Sequence, residues 1–331
     1  MKQLNSLVEK FLKPFFDGTQ FSFGFVQKNA ISFYGFHKEN GIVKSVENSD
    51  AVFEVGSITK VFTADILAQL VLENKINIQN KISQYLPYPR VKNSNITFEQ
   101  LANHSSGVPR LPENFYTVPN YDEANPYKSY DENALIDYFE NHLKLEFESG
   151  SKAVYSNLGT GILSYLISKI EGKKFEQVVQ ERIFNELEMN SSSFDIQQIT
   201  NLIKGINQTG KVANHWEGGI INGCIGALSS AQDMCKFIQH IISENPISNL
   251  QTTPTIEIEA NYQIGLSWGL RTQKDGSMLV SHGGGSDGYT SFMKINRTHQ
   301  KGYILLTNIS AFHKKQQDLQ NFSKEILDLL D

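Results

Sequence analysis

Cysteine is scarce in this 331-residue chain, with Cys224 and Cys235 the two examples. Two thiols 11 residues apart, around a predicted turn and helix, make no disulfide framework, and buried free cysteines are the expectation. Hydrophobic runs are short as well. None approaches the roughly 20 residues that cross a bilayer, so no transmembrane segment is expected. Blocks of like charge are missing: the longest basic runs are Lys173-Lys174 and Lys314-Lys315, and the formal net charge is −5. That describes a solvated surface of mixed sign and argues against a nucleic-acid partner. The histidines are dispersed, and neither H-E-x-x-H nor C-x-x-C occurs, so no metal and no cofactor is expected. There is no internal repeat and no low-complexity tract.

What is present is ordinary globular material, 40% hydrophobic and 20% charged, enough for a large core or two packed regions. In Met1–Phe16, Leu4, Leu7, Val8, Phe11, Leu12, Phe15 and Phe16 recur at helical spacing between Lys, Glu and Asn. This is an amphipathic helix and not a signal peptide. "FSFGFV", "AISFYGF" and "GIVKSV" then read as short strands. The middle is helical, with helices predicted over 57–73, 97–103, 132–142, 157–171, 174–187 and 230–242, and a long polar loop over 110–130. From Tyr262 strands return as "YQIGLSWGL", "MLVSH", "YTSFMKI" and "GYILLTN", and a helix over about 313–330 follows. Hairpin-spaced strands on both sides of a helical middle predict one mainly antiparallel sheet. The expected organisation is an α/β sheet region from residues 1–60 and 250–331, flanked by N- and C-terminal helices. A mostly helical region, 61–249, is inserted, and the site lies between the two.

Two serines compete for the role of nucleophile. Gly284-Gly285-Ser286-Asp287-Gly288 fits the G-x-S-x-G elbow, which needs a strand before the serine and a helix after it. Here Tyr289 to Ile295 alternates like a strand, and no acid-then-histidine order follows, so a glycine-rich hairpin turn is the better reading. Ser57 and Lys60 instead lie three apart at the start of a predicted helix, sharing one face. Ser57 then has a free N–H at the positive end of the helix dipole, suited to an oxyanion. The helix that follows is apolar almost all round and therefore buried. An amine held away from water gives up its charge more readily and can take a proton from the hydroxyl. The alternative is that Ser57 merely caps the helix and Lys60 reaches out to water. Ser149 and Lys152 repeat the spacing in a Gly/Ser turn and are discarded.

Two further elements accompany that pair. Tyr155-Ser156-Asn157 is the one Y-x-N in the chain, just before a predicted helix. A phenol can relay protons, and an amide can hold both an amine and a substrate carbonyl; a buried Tyr beside an Asn cap is the alternative. His282-Gly283-Gly284 ends a strand, where glycines let a substrate backbone approach closely. There the Gly285 N–H is a candidate second oxyanion donor, and His282 a hydrogen-bond donor or cation.

S-x-x-K, Y-x-N and [K/H]-x-G in this order resemble the three motifs of the serine β-lactamase and penicillin-binding-protein superfamily. The tyrosine version is similar to its class C β-lactamase-like branch of DD-peptidases, D-amino-acid peptidases and esterases. "NKINIQNKISQYLP", "ITFEQLANHSSGVP", "YSNLGTGILSYLISKIEG" and "IGALSSAQDMCKFIQ" look like that branch too, and the likeness covers about residues 50–310. The resemblance implies Ser57 as the acylated nucleophile, Lys60 as its proton acceptor, and Tyr155 as the proton shuttle to the leaving group. It implies Asn157 as a substrate-carbonyl contact that also orients Lys60, His282, Gly283 and Gly284 as substrate-binding, and the N–H groups of Ser57 and Gly285 as the oxyanion hole. It also implies an extracytoplasmic setting if a leader was removed, and a cytoplasmic one otherwise. The substrate is then a small molecule or a peptide. The third motif departs from K-T-G, because His282 and Gly283 lack the charge and hydroxyl that grip a substrate carboxylate. An esterase or peptidase with weak β-lactamase activity is therefore expected. An idle binding homologue, or an acyltransferase using the same residues, stands as the alternative.

Overall fold

The computed structural model describes residues 2–28 and 30–328; Met1 and residues 329–330, which the predicted terminal helices include, lie outside the described residues. Strands β1 (Gln20–Gln27), β2 (Ala30–Glu39) and β3 (Ile42–Val46) precede the short β4 (Val52–Glu54). After the helical middle come β5 (Leu228–Ser230), β6 (Ile256–Glu259), β7 (Tyr262–Ile264), β8 (Gly269–Thr272), β9 (Met278–Gly285), β10 (Thr290–Asn296) and β11 (Lys301–Thr307). Nine of them form one sheet in the order β3-β2-β1-β11-β10-β9-β8-β7-β6, and every neighbouring pair is antiparallel. The strands β4 and β5 make a separate two-stranded ladder.

Five helices carry most of the packing: α1 (Lys2–Leu12), α2 (Thr59–Leu72), α3 (Asn157–Glu171), α4 (Ala231–Ile242) and α5 (Gln316–Asp328). Alternation along β1 divides its side chains between two faces. Phe21, Phe23 and Phe25 meet Leu4, Val8 and Leu12 of α1 and Leu319, Phe322 and Ile326 of α5. On the opposite face Gly24 lets α4 come close, since a Cβ there would sit 2.4 Å from Cys235 Sγ. The second, larger core joins α2, α3 and α4. Both α3 and α4 start on serine caps, with Ser156 Oγ accepting from Gly159 N and Ser230 Oγ from Asp233 N.

Some expectations shift. The predicted strand "YQIGLSWGL" is broken at Ser267, whose φ of 60° is left-handed, leaving β7 and β8 as separate strands. Neither β5 nor β6 was expected. Among the described residues no helix is long and apolar enough to cross a membrane. Cys224 and Cys235 are free and buried.

Candidate active site

The chain leaves β4, makes a tight turn over Gly56–Ile58, and enters α2. Ser57 lies in that turn, so the helix begins two residues later than expected. The residue flanking α2 is Ile58, and no side chain caps it. Ser57 is therefore not a helix cap, which removes the alternative raised by the sequence. Gly56 has φ +54° and abuts β9: a Cβ on it would lie 2.4 Å from Gly285 N. A Cβ on Gly284 would lie 1.9 Å from Val55 O and 2.9 Å from Ser57 N. Only bare backbone on both strands lets the turn and the end of β9 approach this closely. Ser291 Oγ, on β10, fixes the same turn by donating to Val55 O at 2.8 Å.

Lys60 is wholly buried, 0% exposed, and does not reach out to water. Its Nζ donates to Ser57 Oγ at 3.2 Å and to Cys224 O at 2.7 Å. The same segment docks on α2 through Thr63 Oγ1 to Gly223 O and Ala227 N to Thr59 Oγ1. Burial pushes the Cys224 thiol up to about 11, so at neutral pH it is an uncharged wall and lends Lys60 its carbonyl.

Tyr155 brings its ring to 4.8 Å from Lys60 Nζ, while the Arg110 guanidinium carbon lies 5.3 Å from the same ring. His104 packs on the other side, ring centroids 4.6 Å apart. Its Nδ1 accepts from Ser156 N at 3.3 Å, fixing the loop before α3. Desolvation, and then the charge of Lys60, holds His104 down to about 3, so it is a neutral imidazole. The same two causes hold half-buried His282 well below the ordinary histidine range. His282 is thus a neutral hydrogen-bonding group here and not a cation.

Asn157 is the first residue of α3, and its cap is Ser156, not Asn157 itself. Its Nδ2 donates to Tyr127 Oη at 2.7 Å, and its buried Oδ1 has no partner among the described residues. The expected contact from Asn157 to Lys60 is replaced: the hydrogen bonds holding Lys60 run to Ser57 and Cys224. Ser286 is buried in the β9–β10 turn, where Ser286 N donates to Tyr289 O, and a strand follows it. No nucleophile elbow exists there.

Ser57, Tyr155, Asn157, Gly283, Gly284 and Gly285 thus open on one cleft of about 1160 Å³. Its wall includes Arg110, Tyr116, Tyr127, Trp216 and Phe312. The lining aromatics are not legible as site residues in the sequence, because isolated aromatics in a loop carry no period. The density of aromatics over 110–130 was the available signal. Trp216 is held in place as its ring meets Tyr127 at 5.8 Å and Phe312 at 6.1 Å.

Residues 34–325 match the Beta-lactamase family, and the chain belongs to that family. Over 324 residues it is 24% identical to penicillin-binding protein 4* of Bacillus subtilis (strain 168), covering 88% of this chain and 69% of that one. It is 23% identical over 311 residues to the D-alanyl-D-alanine-carboxypeptidase/endopeptidase AmpH of Escherichia coli (strain K12), covering 85% and 76%. A class C beta-lactamase structure superposes with a TM-score of 0.82 at 16% identity, covering 100% of this chain and 96% of that one. That likeness establishes the β-lactamase-like fold, an antiparallel sheet with helices.

Proposed function

We propose that the protein is a serine acyl-hydrolase that forms an acyl-enzyme on Ser57 from an ester or amide. One observation carries the reading: a fully buried lysine donates to an accessible serine hydroxyl at 3.2 Å, with a tyrosine ring beside its amine. In this scheme Lys60 enters the reaction as the neutral amine: Ser57 Oγ attacks the carbonyl carbon and its proton passes to the lone pair of Lys60 Nζ. The N–H groups of Ser57 and Gly285 receive the developing oxyanion. The C–O or C–N bond breaks as Tyr155 gives a proton to the leaving atom and regains one from Lys60. Water then attacks the acyl-serine, and its proton returns through Tyr155 and Lys60 to Ser57 Oγ. The relatives' printed activities, beta-lactamase and D-alanyl-D-alanine carboxypeptidase among them, are compatible with such a cycle.

Labelling with a fluorophosphonate followed by mass spectrometry tests the core of this proposal. The expected result is one adduct on Ser57, absent from Ser57→Ala; no adduct in the parent favours an idle binding homologue. Substrate choice has its own test. A carboxylate next to the scissile bond meets neutral His282 and Gly283, so nitrocefin is expected to be a poor substrate and 4-nitrophenyl butyrate a better one. A nitrocefin kcat/KM above about 10^6 M−1 s−1, the range of efficient enzymes, overturns this preference.

A further inference from the structure

A second cavity, of about 790 Å³, opens on the far side of Tyr155 and His282. It shares Tyr155, Gly283, Phe292 and Gln320 with the cleft, so the two meet at the candidate reaction centre. Their charges differ. Asp122, Glu123 and Asp287 line the cleft against one cation, Arg110. The second cavity is lined by Arg271, Lys294 and Lys324, and by no aspartate or glutamate among the described residues.

This placement follows from strand register. Gly283 pairs with Phe292, Ser281 with Lys294 and Leu279 with Arg271. Residues two apart share a face, so these rows form a track along the outer side of the sheet beside α5. At about 3.3 Å per residue, the row of Lys294 lies roughly 7 Å from that of Gly283, and the row of Arg271 roughly 13 Å. The track is held in place. Lys294 Nζ donates to Ser323 O at 2.8 Å, and Arg271 lies over the Tyr262 ring at 4.8 Å while donating to Asn261 Oδ1.

We infer that this groove is an anion subsite, selecting esters or amides that carry a carboxylate or phosphate some way from the scissile carbonyl, about 7–13 Å along the strand. The inference rests on the acyl-enzyme reading of Ser57. On this reading a substrate anion is met further out than a third-motif lysine would meet it, by cations on β8, β10 and α5.

The test uses matched chromogenic esters. Mono-4-nitrophenyl adipate is compared with its methyl ester for an anion on the acyl side. The butyrate of 4-hydroxy-3-nitrophenylacetic acid is compared with its methyl ester for the leaving side. At low salt at least one anionic member is expected to be preferred in kcat/KM by about tenfold. That ratio is expected to fall to about one in the Arg271→Ala/Lys324→Ala double variant, and to shrink at about 0.5 M salt. Ratios near one in the parent, or a preference that survives the double variant, overturn the subsite. Calorimetry with monomethyl adipate separates the two proposals. Binding that the double variant loses, with no ester turned over, sinks the acyl-enzyme reading and supports the groove; no binding to the parent and no anionic preference sink the groove alone.

Discussion

Helix α2 buries two ionisable side chains five residues apart, and they are treated in opposite ways. Asp65, 1% exposed, is saturated: Gln69 Nε2 donates at 2.8 Å, Gln251 Nε2 at 2.8 Å, and His240 Nε2 lies at 2.9 Å. Those partners tie α2 to α4 and to the short helix Pro246–Gln251. Lys60 has one carbonyl and one hydroxyl, and its remaining donor capacity faces a tyrosine ring. A buried charge surrounded by fixed partners holds elements together. A buried amine given an exchangeable hydroxyl and a phenol is arranged to pass protons.

The comparison breaks most sharply at Lys60. Lys60→Met keeps the volume and is expected to lower kcat/KM for 4-nitrophenyl butyrate by about 10^3-fold, with little change in thermal midpoint. A loss below tenfold erases the distinction. Asp65→Ala is expected to cost about 3 kcal/mol in denaturant unfolding, while turnover per folded molecule stays within about twofold. A larger fall in turnover per folded molecule makes Asp65 part of the working site. Gly56→Ala is expected to cost about 2 kcal/mol and to reduce turnover together with it, because a Cβ at φ +54° meets Gly285 N. Unchanged stability and turnover mean that the turn and β9 are not so closely packed.

The last test is a pH dependence. His104 is buried, and its folded value of about 3 lies below the ordinary 6.5. The unfolded chain therefore binds the extra proton first, and stability present above pH 6.5 is lost as pH falls toward about 3. Denaturant midpoints measured across that window are expected to decline less steeply in His104→Gln. An identical slope removes His104 from the account.

Much of the site was legible because helical spacing is a local property. Ser57 and Lys60 at i and i+3, followed by an apolar run, already place a hydroxyl against a buried amine. The Cys224 carbonyl was illegible because a backbone oxygen has no residue identity, and a chain separation of 164 residues leaves no pattern to read. The Asn157–Tyr127 bond was hidden for the same reason, bridging a loop and a helix start. In the fold, long aromatic strands such as β1 announced themselves, while β5 and β6, three and four residues long, fell below any usable period. The basic groove escaped notice because Arg271, Lys294 and Lys324 are far apart in sequence, the first two joined by strand register and the third by the packing of α5 on the sheet.

The pairing of β1 with β11, Phe21 opposite Thr307 and Gln27 opposite Lys301, has a consequence for biosynthesis. A ribosome must release about 280 residues after β1 before its partner β11 exists, and the Gly285 amide beside Ser57 emerges nearly as late. The helical middle is therefore expected to collapse before the sheet is complete, leaving that edge of β1 unpaired in the meantime. If Ser57 is acylated as proposed, labelling reports the arrival of β9: chains stalled short of it are expected to stay silent toward the fluorophosphonate, however well their helices have formed.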